Sequence, residues 1–111
     1  MNIFVSYTTR NNEVTKKNLM NFSKKINSLG KIFIDLIDNK SVDKQGRIVK
    51  ELKTAQLLIL IKSQSTLNSE WVKFELNCAK RLCIPVIEFD VNEIDDLTQQ
   101  EIEEKINRCR E

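Results

Sequence analysis

The chain has 111 residues, of which 41% are hydrophobic and 31% charged, so we expect one folded domain spanning residues 1–111 rather than a disordered chain. The net charge of +2 is unevenly placed, with +7 in residues 1–89 and −5 in residues 90–111, and the basic part suits either an anionic ligand or a solvated lysine-rich surface. The longest apolar run, residues 57–61, is far below the roughly 20 residues of a membrane span, and the N-terminus lacks signal-peptide features, so we expect a cytoplasmic protein without membrane association.

Short apolar runs alternate with segments of helical periodicity along the chain. The runs are rich in Ile, Val and Phe and predict strands at residues 2–7, 31–36, 56–61 and 84–89. The periodic segments predict helices at residues 11–29, 47–55 and 69–81, and a last helix that begins after Thr98. Gly30 suits the end of the first helix, and Thr98 with Glu101 forms a capping-box pair that opens the last.

This alternation predicts an α/β fold, with a parallel sheet of about four strands and helices on both of its faces. A strand order of 2-1-3-4 would make the first and third strands central, which agrees with their continuous apolar character. Pro85 lacks a backbone donor and suits the start of an edge strand, which the fourth strand would provide. A polar loop is expected at residues 37–45.

A ligand is expected beyond the carboxyl ends of the strands, where the strand order reverses between the first and third. Residues 8–12, 36–41 and 62–71 converge there, and the first segment offers hydroxyls, an arginine and helix-start amides to a phosphate, unless it is a plain helix cap. With only two glycines the chain has no dinucleotide-binding or P-loop motif. Tyr7 and Lys62 stand where a receiver domain would carry acidic residues.

The third predicted helix, SEWVKFELNCAKR, places a carboxylate among apolar side chains. At about 100° per residue, Glu75 falls between two apolar bands. One band consists of Val72, Leu76, Ala79 and Cys83, and the other of Trp71, Cys78 and Leu82. A carboxylate in this position is partly desolvated and needs a polar partner or a function, although a boundary glutamate that reaches solvent is also common.

The missing histidines exclude the usual Ser-His-Asp and Cys-His catalytic arrangements and histidine metal sites. Three cysteines without CxxC spacing indicate reduced, buried thiols, including Cys109 on the inner face of the last helix, and no metal site.

Four stretches resemble, in order, motifs of the Toll/interleukin-1 receptor (TIR) domains: FVSYTTRN (4–11), KIFIDLIDNK (31–40), LLILIKSQSTLNSEWVKFEL (57–76) and CIPVIEF (83–89). The resemblance covers residues 2–89 and leaves an acidic segment and a C-terminal helix at residues 90–111. It implies a flavodoxin-like, three-layer fold. In the enzymatic branch of the family it also implies cleavage of the nicotinamide–ribose bond of NAD, which is then a substrate and not a cofactor.

The resemblance makes Glu75 the catalytic residue, which would face the ribose and stabilise positive charge at the anomeric carbon. No second carboxylic acid is needed, because nicotinamide leaves as a neutral pyridine, unlike the leaving group of an ordinary glycoside. The residues expected to bind the nucleotide are Tyr7, Thr8, Arg10, Asp35, Asp38, Ser63 and Trp71. The expected product is of the ADP-ribose type, and the expected setting is immune or defence signalling by a chain assembled with copies of itself or with a partner TIR domain.

Two alternatives stay open at this point. One is a non-catalytic TIR interaction module in which residues 37–45 mediate contacts and Glu75 is structural; the other is a related nucleoside ribosyl-transfer enzyme. The chain also departs from the family, since no fifth strand is predicted and residues 37–45 lack an aromatic side chain to stack on a base. The open sheet edge would then be incomplete or used in assembly, and nucleic acid is not an expected partner.

Overall fold

The computed structural model describes residues 1–8, 14–39 and 42–110. The strands are β1 (Asn2–Ser6), β2 (Lys31–Ile34), β3 (Leu57–Lys62) and β4 (Val86–Asp90). The helices are α1 (Lys16–Ile26), α2 (Asp35–Asp38), α3 (Lys44–Thr54), α4 (Glu70–Arg81) and α5 (Gln99–Arg110). Two 3-10 turns, at Asn27–Leu29 and Thr66–Asn68, complete the regular structure of this part of the chain.

The four strands are all parallel and lie in the order β2-β1-β3-β4. The predicted α/β class and strand order are therefore confirmed, and the arrangement is flavodoxin-like. Pro85 immediately precedes the edge strand β4, and its carbonyl accepts a hydrogen bond from the Leu58 N–H at 2.9 Å. Proline is tolerated there because no ladder bond from its nitrogen is required.

Side chains alternate between the two faces of each strand, so the sheet has a core on either side. One core joins Ile3, Val5 and their sheet neighbours to apolar residues of α1 and α5. The other joins Phe4, Phe33 and their neighbours to apolar residues of α3 and α4. Because β1 and β3 are buried on both faces, their central residues, 3–5 and 57–61, are apolar without interruption.

Helix α1 begins at Lys16, later than the predicted residue 11, because Thr15 caps it. The Thr15 hydroxyl accepts from the Asn18 N–H at 3.2 Å, and the Asn18 side-chain oxygen accepts from the Thr15 N–H at 2.9 Å. The helical path then tightens into the 3-10 turn and ends at Gly30, as predicted. A β-carbon at Gly30 would lie 2.0 Å from the Met1 carbonyl oxygen, so only glycine fits.

The second strand ends at Ile34, two residues before its predicted end. Polar side chains close a helical turn there: the Ile34 N–H donates to the Asp38 carboxylate at 2.8 Å, and the Asn39 amide donates to Asp35 at 2.7 Å. The expected loop at 37–45 is also shorter than predicted, because α3 begins at Lys44 with Asp43 as its N-cap.

The prediction of buried thiols was wrong for Cys83, which is exposed. Helix α4 ends at Arg81, and Cys83 adopts a φ of 57° just beyond it, which turns its side chain away from the apolar stripe. Cys78 is half-buried, and the side chain of Cys109 lies outside the described part of the structure. No helix in the described ranges has the length and apolar character needed to cross a lipid bilayer.

Candidate active site

A cleft of about 260 Å³ opens at the carboxyl ends of the strands, where the order reverses between β1 and β3. Its lining comes from the end of β1, the start of α2 and the first turns of α4: Val5, Tyr7, Thr8, Asp35, Ser69, Trp71 and Glu75. This is the position at which open parallel sheets bind their ligands. The predicted place of the site and the observed cleft therefore coincide.

Glu75 is the buried charged group of this cleft, with only 3% of its surface exposed. Its Oε1 accepts a hydrogen bond from the Ser6 hydroxyl at 2.7 Å. Alternation along β1 explains the contact, because Ser6 shares a face with Phe4 and points toward the α3 and α4 side of the sheet. The strand thus supplies the polar partner that a carboxylate in an apolar helix face needs.

Burial raises the pKa of Glu75 from its ordinary 4.5 to about 7, because water no longer stabilises the charged form. The negative charge of Asp35 acts in the same direction. The hydrogen bond from Ser6 and, to a smaller extent, the nearby Trp71 indole partly oppose both effects, since they stabilise the carboxylate. The carboxyl group is therefore about half ionised at neutral pH, a state typical of groups that work in catalysis.

The start of α4 sets the orientation of the two cleft residues on that helix. Ser69 is its N-cap, with a side-chain oxygen that accepts from the Val72 N–H at 3.2 Å. Trp71 and Glu75 follow four residues apart and so lie on the same face, one turn from each other. The helix end faces the cleft, and both side chains line it.

The structure brings together five of the predicted site residues: Tyr7, Thr8, Asp35, Trp71 and Glu75 all line the cleft. Thr8 is buried, and Asp35 accepts a hydrogen bond from Asn39. These positions fit a ligand role, which stays a prediction.

Ser63 and Asp38 do not line this cleft. The Ser63 N–H donates to the Thr66 hydroxyl at 2.7 Å, where the chain enters the second 3-10 turn. Asp38 is exposed, and its carboxylate accepts from the Ile34 N–H. Arg10 lies outside the described residues.

Sequence reasoning missed Ser6 as the partner of Glu75. The sequence does contain an indication of this role. Ser6 places a hydroxyl at the end of an apolar run, two residues after Phe4 and therefore on the same face of the strand. Which side chain of another element it would meet depends on how α4 packs, and periodicity does not supply that.

A wider, shallow groove of about 700 Å³ lies between β2 and α3. Of its two carboxylates, Glu51 is paired with Arg47 at 2.9 Å on the same helix, and Asp43 accepts from the Gly46 N–H as the N-cap of α3. No group that lines it is both buried and ionisable, so the smaller cleft around Glu75 is the better candidate for chemistry.

No protein-family model matches the chain, and no curated protein matches its sequence. Within the described residues, no three His, Cys, Asp or Glu side chains are grouped so that they could hold a metal ion. The TIR resemblance therefore stays a hypothesis that is built on the motifs and the fold.

Proposed function

We propose that this chain cleaves the nicotinamide–ribose bond of NAD, releases nicotinamide and an ADP-ribose-type product, and uses Glu75 as its catalytic residue. The observation that carries the proposal is a carboxylate only 3% exposed at the base of a cleft beyond the carboxyl ends of parallel strands. Away from water, a fixed negative charge stabilises a developing sugar cation more strongly than it would in solvent.

The reaction needs few groups. In NAD the leaving nicotinamide carries the positive charge before the bond breaks, so its departure as a neutral pyridine requires no general acid. The ionised carboxylate then balances the charge that develops on the ribose, until water or the adenine ring of the same molecule bonds to the anomeric carbon and completes the product. Tyr7 and Thr8, which line the same cleft, offer hydroxyls to the ribose or the first phosphate. We assign Arg10, the neighbouring cation in the chain, to the pyrophosphate.

A second candidate function is N-glycosidic cleavage or transfer on a single nucleoside. A volume of about 260 Å³ favours it, because pockets for whole drug-sized ligands usually occupy roughly 300–1,000 Å³. A nucleoside is closer in size to this cleft than a dinucleotide is, and the adenosine half of NAD would extend beyond it. A second copy of the chain would then complete the binding surface for NAD, in line with the proposed action of the protein as an assembly in defence signalling.

Nicotinamide release from NAD tests the proposal when the purified chain is compared with Glu75→Gln at several protein concentrations. We expect the substitution to lower the rate by about 100-fold or more, the usual effect of removing a principal electrostatic group. Glu70→Gln is the matched control, because Glu70 lies on the same helix, is exposed and does not line the cleft. It should retain the original rate.

The alternatives give different results in the same assay. Release from nicotinamide riboside but not from NAD would favour the nucleoside enzyme. No release from either compound at the highest protein concentration would favour a non-catalytic interaction module. Equal rates for Glu75→Gln and the unmodified chain would contradict the assigned role of Glu75 in any reaction that is observed.

A further inference from the structure

A buried hydroxyl at the end of β1 holds one oxygen of the cleft carboxylate. Ser6 is only 1% exposed, and its Oγ donates to Glu75 Oε1 at 2.7 Å. The serine must be the donor when the carboxyl group is ionised, because a carboxylate can only accept. Hydrogen bonds to a charged group are stronger than those between neutral groups, and shielding from water strengthens them further.

The sheet fixes the place of this hydroxyl. β1 lies between β2 and β3, Val5 pairs with both of these strands, and Ser6 pairs with Leu60 of β3. The short serine side chain therefore starts from a backbone that neighbouring strands hold. Glu75 has several rotatable bonds between its helix and its carboxyl group, so the orientation of that group depends on what it binds.

The bond distinguishes the two oxygens of the carboxylate. Glu75 lines the cleft, whereas Ser6 does not. With Oε1 bound to the strand, Oε2 is the oxygen left for a ligand. We propose that Ser6 is a positioning residue, whose hydroxyl anchors Oε1 to the sheet so that Oε2 faces the ribose. The contact with the ribose rests on the proposed function, but the anchoring of the carboxyl group does not.

The same bond keeps part of the carboxyl group ionised at neutral pH. Burial is the main cause that raises the pKa of Glu75 to about 7, and the Ser6 hydroxyl is the main cause that lowers it. Two other titratable side chains line the described part of the cleft, Asp35 at the start of α2 and Tyr7 after β1, and no charged group of α3 or β3 does so. The charge of Asp35 favours the neutral form of Glu75. Without the Ser6 hydroxyl, the equilibrium therefore moves toward the neutral form.

Ser6→Thr and Ser6→Val form a matched pair for the test. The two new side chains have the same shape, and only threonine keeps the hydroxyl. Both add the same volume at a buried position, so any packing strain is common to the two proteins. Ser6→Ala, which adds no volume, gives a second comparison with the unmodified chain.

NMR of the glutamate carboxyl carbons measures the ionisation of Glu75 without any need for activity, and Glu75→Gln identifies its signal. We expect a midpoint near the Glu75 pKa of about 7 in the unmodified protein and in Ser6→Thr. In Ser6→Val and Ser6→Ala the midpoint should rise by about one pH unit, the effect of one lost hydrogen bond to a carboxylate. Thr66→Val, which removes a buried hydroxyl away from the cleft, is the control and should keep the original midpoint.

NAD cleavage gives the second readout. A midpoint higher by about one pH unit leaves roughly a fifth as much ionised carboxylate at pH 7, so kcat falls about fivefold for this reason alone. At pH 9 the carboxyl group is ionised in every variant that retains Glu75, and only the loss of orientation remains. We expect kcat of Ser6→Val to stay about tenfold below that of Ser6→Thr at this pH. KM for NAD should be unchanged, because Ser6 touches no substrate in this proposal.

The positioning role is overturned if Ser6→Ala keeps the original midpoint, or if Ser6→Val and Ser6→Thr have the same kcat at pH 9. A change in KM that exceeds the change in kcat would also overturn it, since Ser6 would then contribute to substrate binding. A protein that shows the shift in midpoint but cleaves no NAD would contradict the proposed function and support the anchoring of Glu75.

Discussion

At the residue scale, the burial of Glu75 has an energetic consequence that does not depend on function. The carboxyl group ionises with an ordinary pKa of 4.5 when exposed and with a pKa of about 7 in the folded protein. Between these values the folded chain binds more protons than the unfolded chain, so stability falls as the pH rises. The cost of burying the ionised carboxylate is absent below pH 4.5 and complete above pH 7, where it amounts to about 3 kcal/mol of stability.

Replacing Glu75 by glutamine should remove this pH dependence. The amide is isosteric and uncharged, and its oxygen can still accept from Ser6. Urea unfolding at pH 4.5 and pH 8 gives the free energy of unfolding of both proteins. We expect the value for Glu75→Gln, relative to that of the unmodified protein, to be higher at pH 8 than at pH 4.5 by about 3 kcal/mol. Glu70→Gln should show no such gain. A constant difference between the proteins at both pH values would mean that Glu75 is not desolvated in the fold.

At the element scale, helix α4 has a favourable residue at its N-terminal end and an unfavourable one at its C-terminal end. Ser69 is a favourable N-cap and accepts the Val72 N–H. At the other end, the Ile84 N–H reaches back to the Ala79 carbonyl at 2.9 Å, and this closure needs Cys83 in the left-handed region at φ 57°. Glycine commonly occupies that position in helix ends, because a β-carbon there meets the backbone.

Cys83→Gly should therefore stabilise the protein by up to about 1 kcal/mol, since the relief of strain exceeds the entropy that glycine adds to the unfolded chain. The side chain is exposed, so its removal should cost little packing. Denaturant unfolding measures the change, and Cys83→Ser, which keeps the β-carbon, serves as the control. A loss of stability in Cys83→Gly would show that the thiol makes a contact worth more than the strain.

At the scale of the whole molecule, the acidic C-terminal segment lies against the basic body. The Lys25 ammonium donates to the carbonyls of Ile94 and Asp95 at 2.9 and 3.0 Å, and Ser28 donates to Glu103 at 2.8 Å. Ile102 and Ile106 are buried in the core beside α1. The C-terminal segment therefore packs on the body through hydrogen bonds and apolar side chains, and the predicted C-terminal helix completes one layer of the fold.

A lysine of helix α5 also reaches β4, one of the two edge strands of the sheet. The Lys105 ammonium donates to the Glu88 carbonyl of the edge strand β4 and lies 4.4 Å from the centre of the Phe89 ring. A lysine bound to an edge strand discourages pairing with a second sheet, because a neighbouring strand would have to displace its charge.

Lys105→Ala should lower the free energy of unfolding by about 1 kcal/mol through loss of the hydrogen bond and the cation–π contact. It should also increase self-association, which sedimentation at rising protein concentration would reveal. Lys105→Arg, which keeps a cationic donor, is the control and should stay close to the unmodified protein. If Lys105→Ala associates no more than Lys105→Arg does, the lysine does not protect the edge.

The sequence by itself determined the α/β class, the parallel sheet and the region of the cleft. Apolar periodicity carries this information, because burial on one or both faces of an element depends mainly on the element's own residues. Two further predictions also depend on neighbouring residues alone, and both were confirmed. They are the capping box of Thr98 and Glu101 and the edge position of Pro85. Apolar periodicity also singled out Glu75 as a carboxylate in an apolar helix face.

Only the tertiary structure decided which groups meet that carboxylate. Ser6 lies 69 residues away in the chain, and the two side chains meet only because α4 packs on the sheet face to which the end of β1 points. Ser63 and Asp38 lie in segments that converge on the same edge, but neither lines the cleft. The Ser63 N–H donates to the Thr66 hydroxyl, and the Asp38 carboxylate accepts from the Ile34 N–H. Local hydrogen bonds also ended β2 early and turned Cys83 outward, since such bonds compete with periodicity and prevail at the ends of elements.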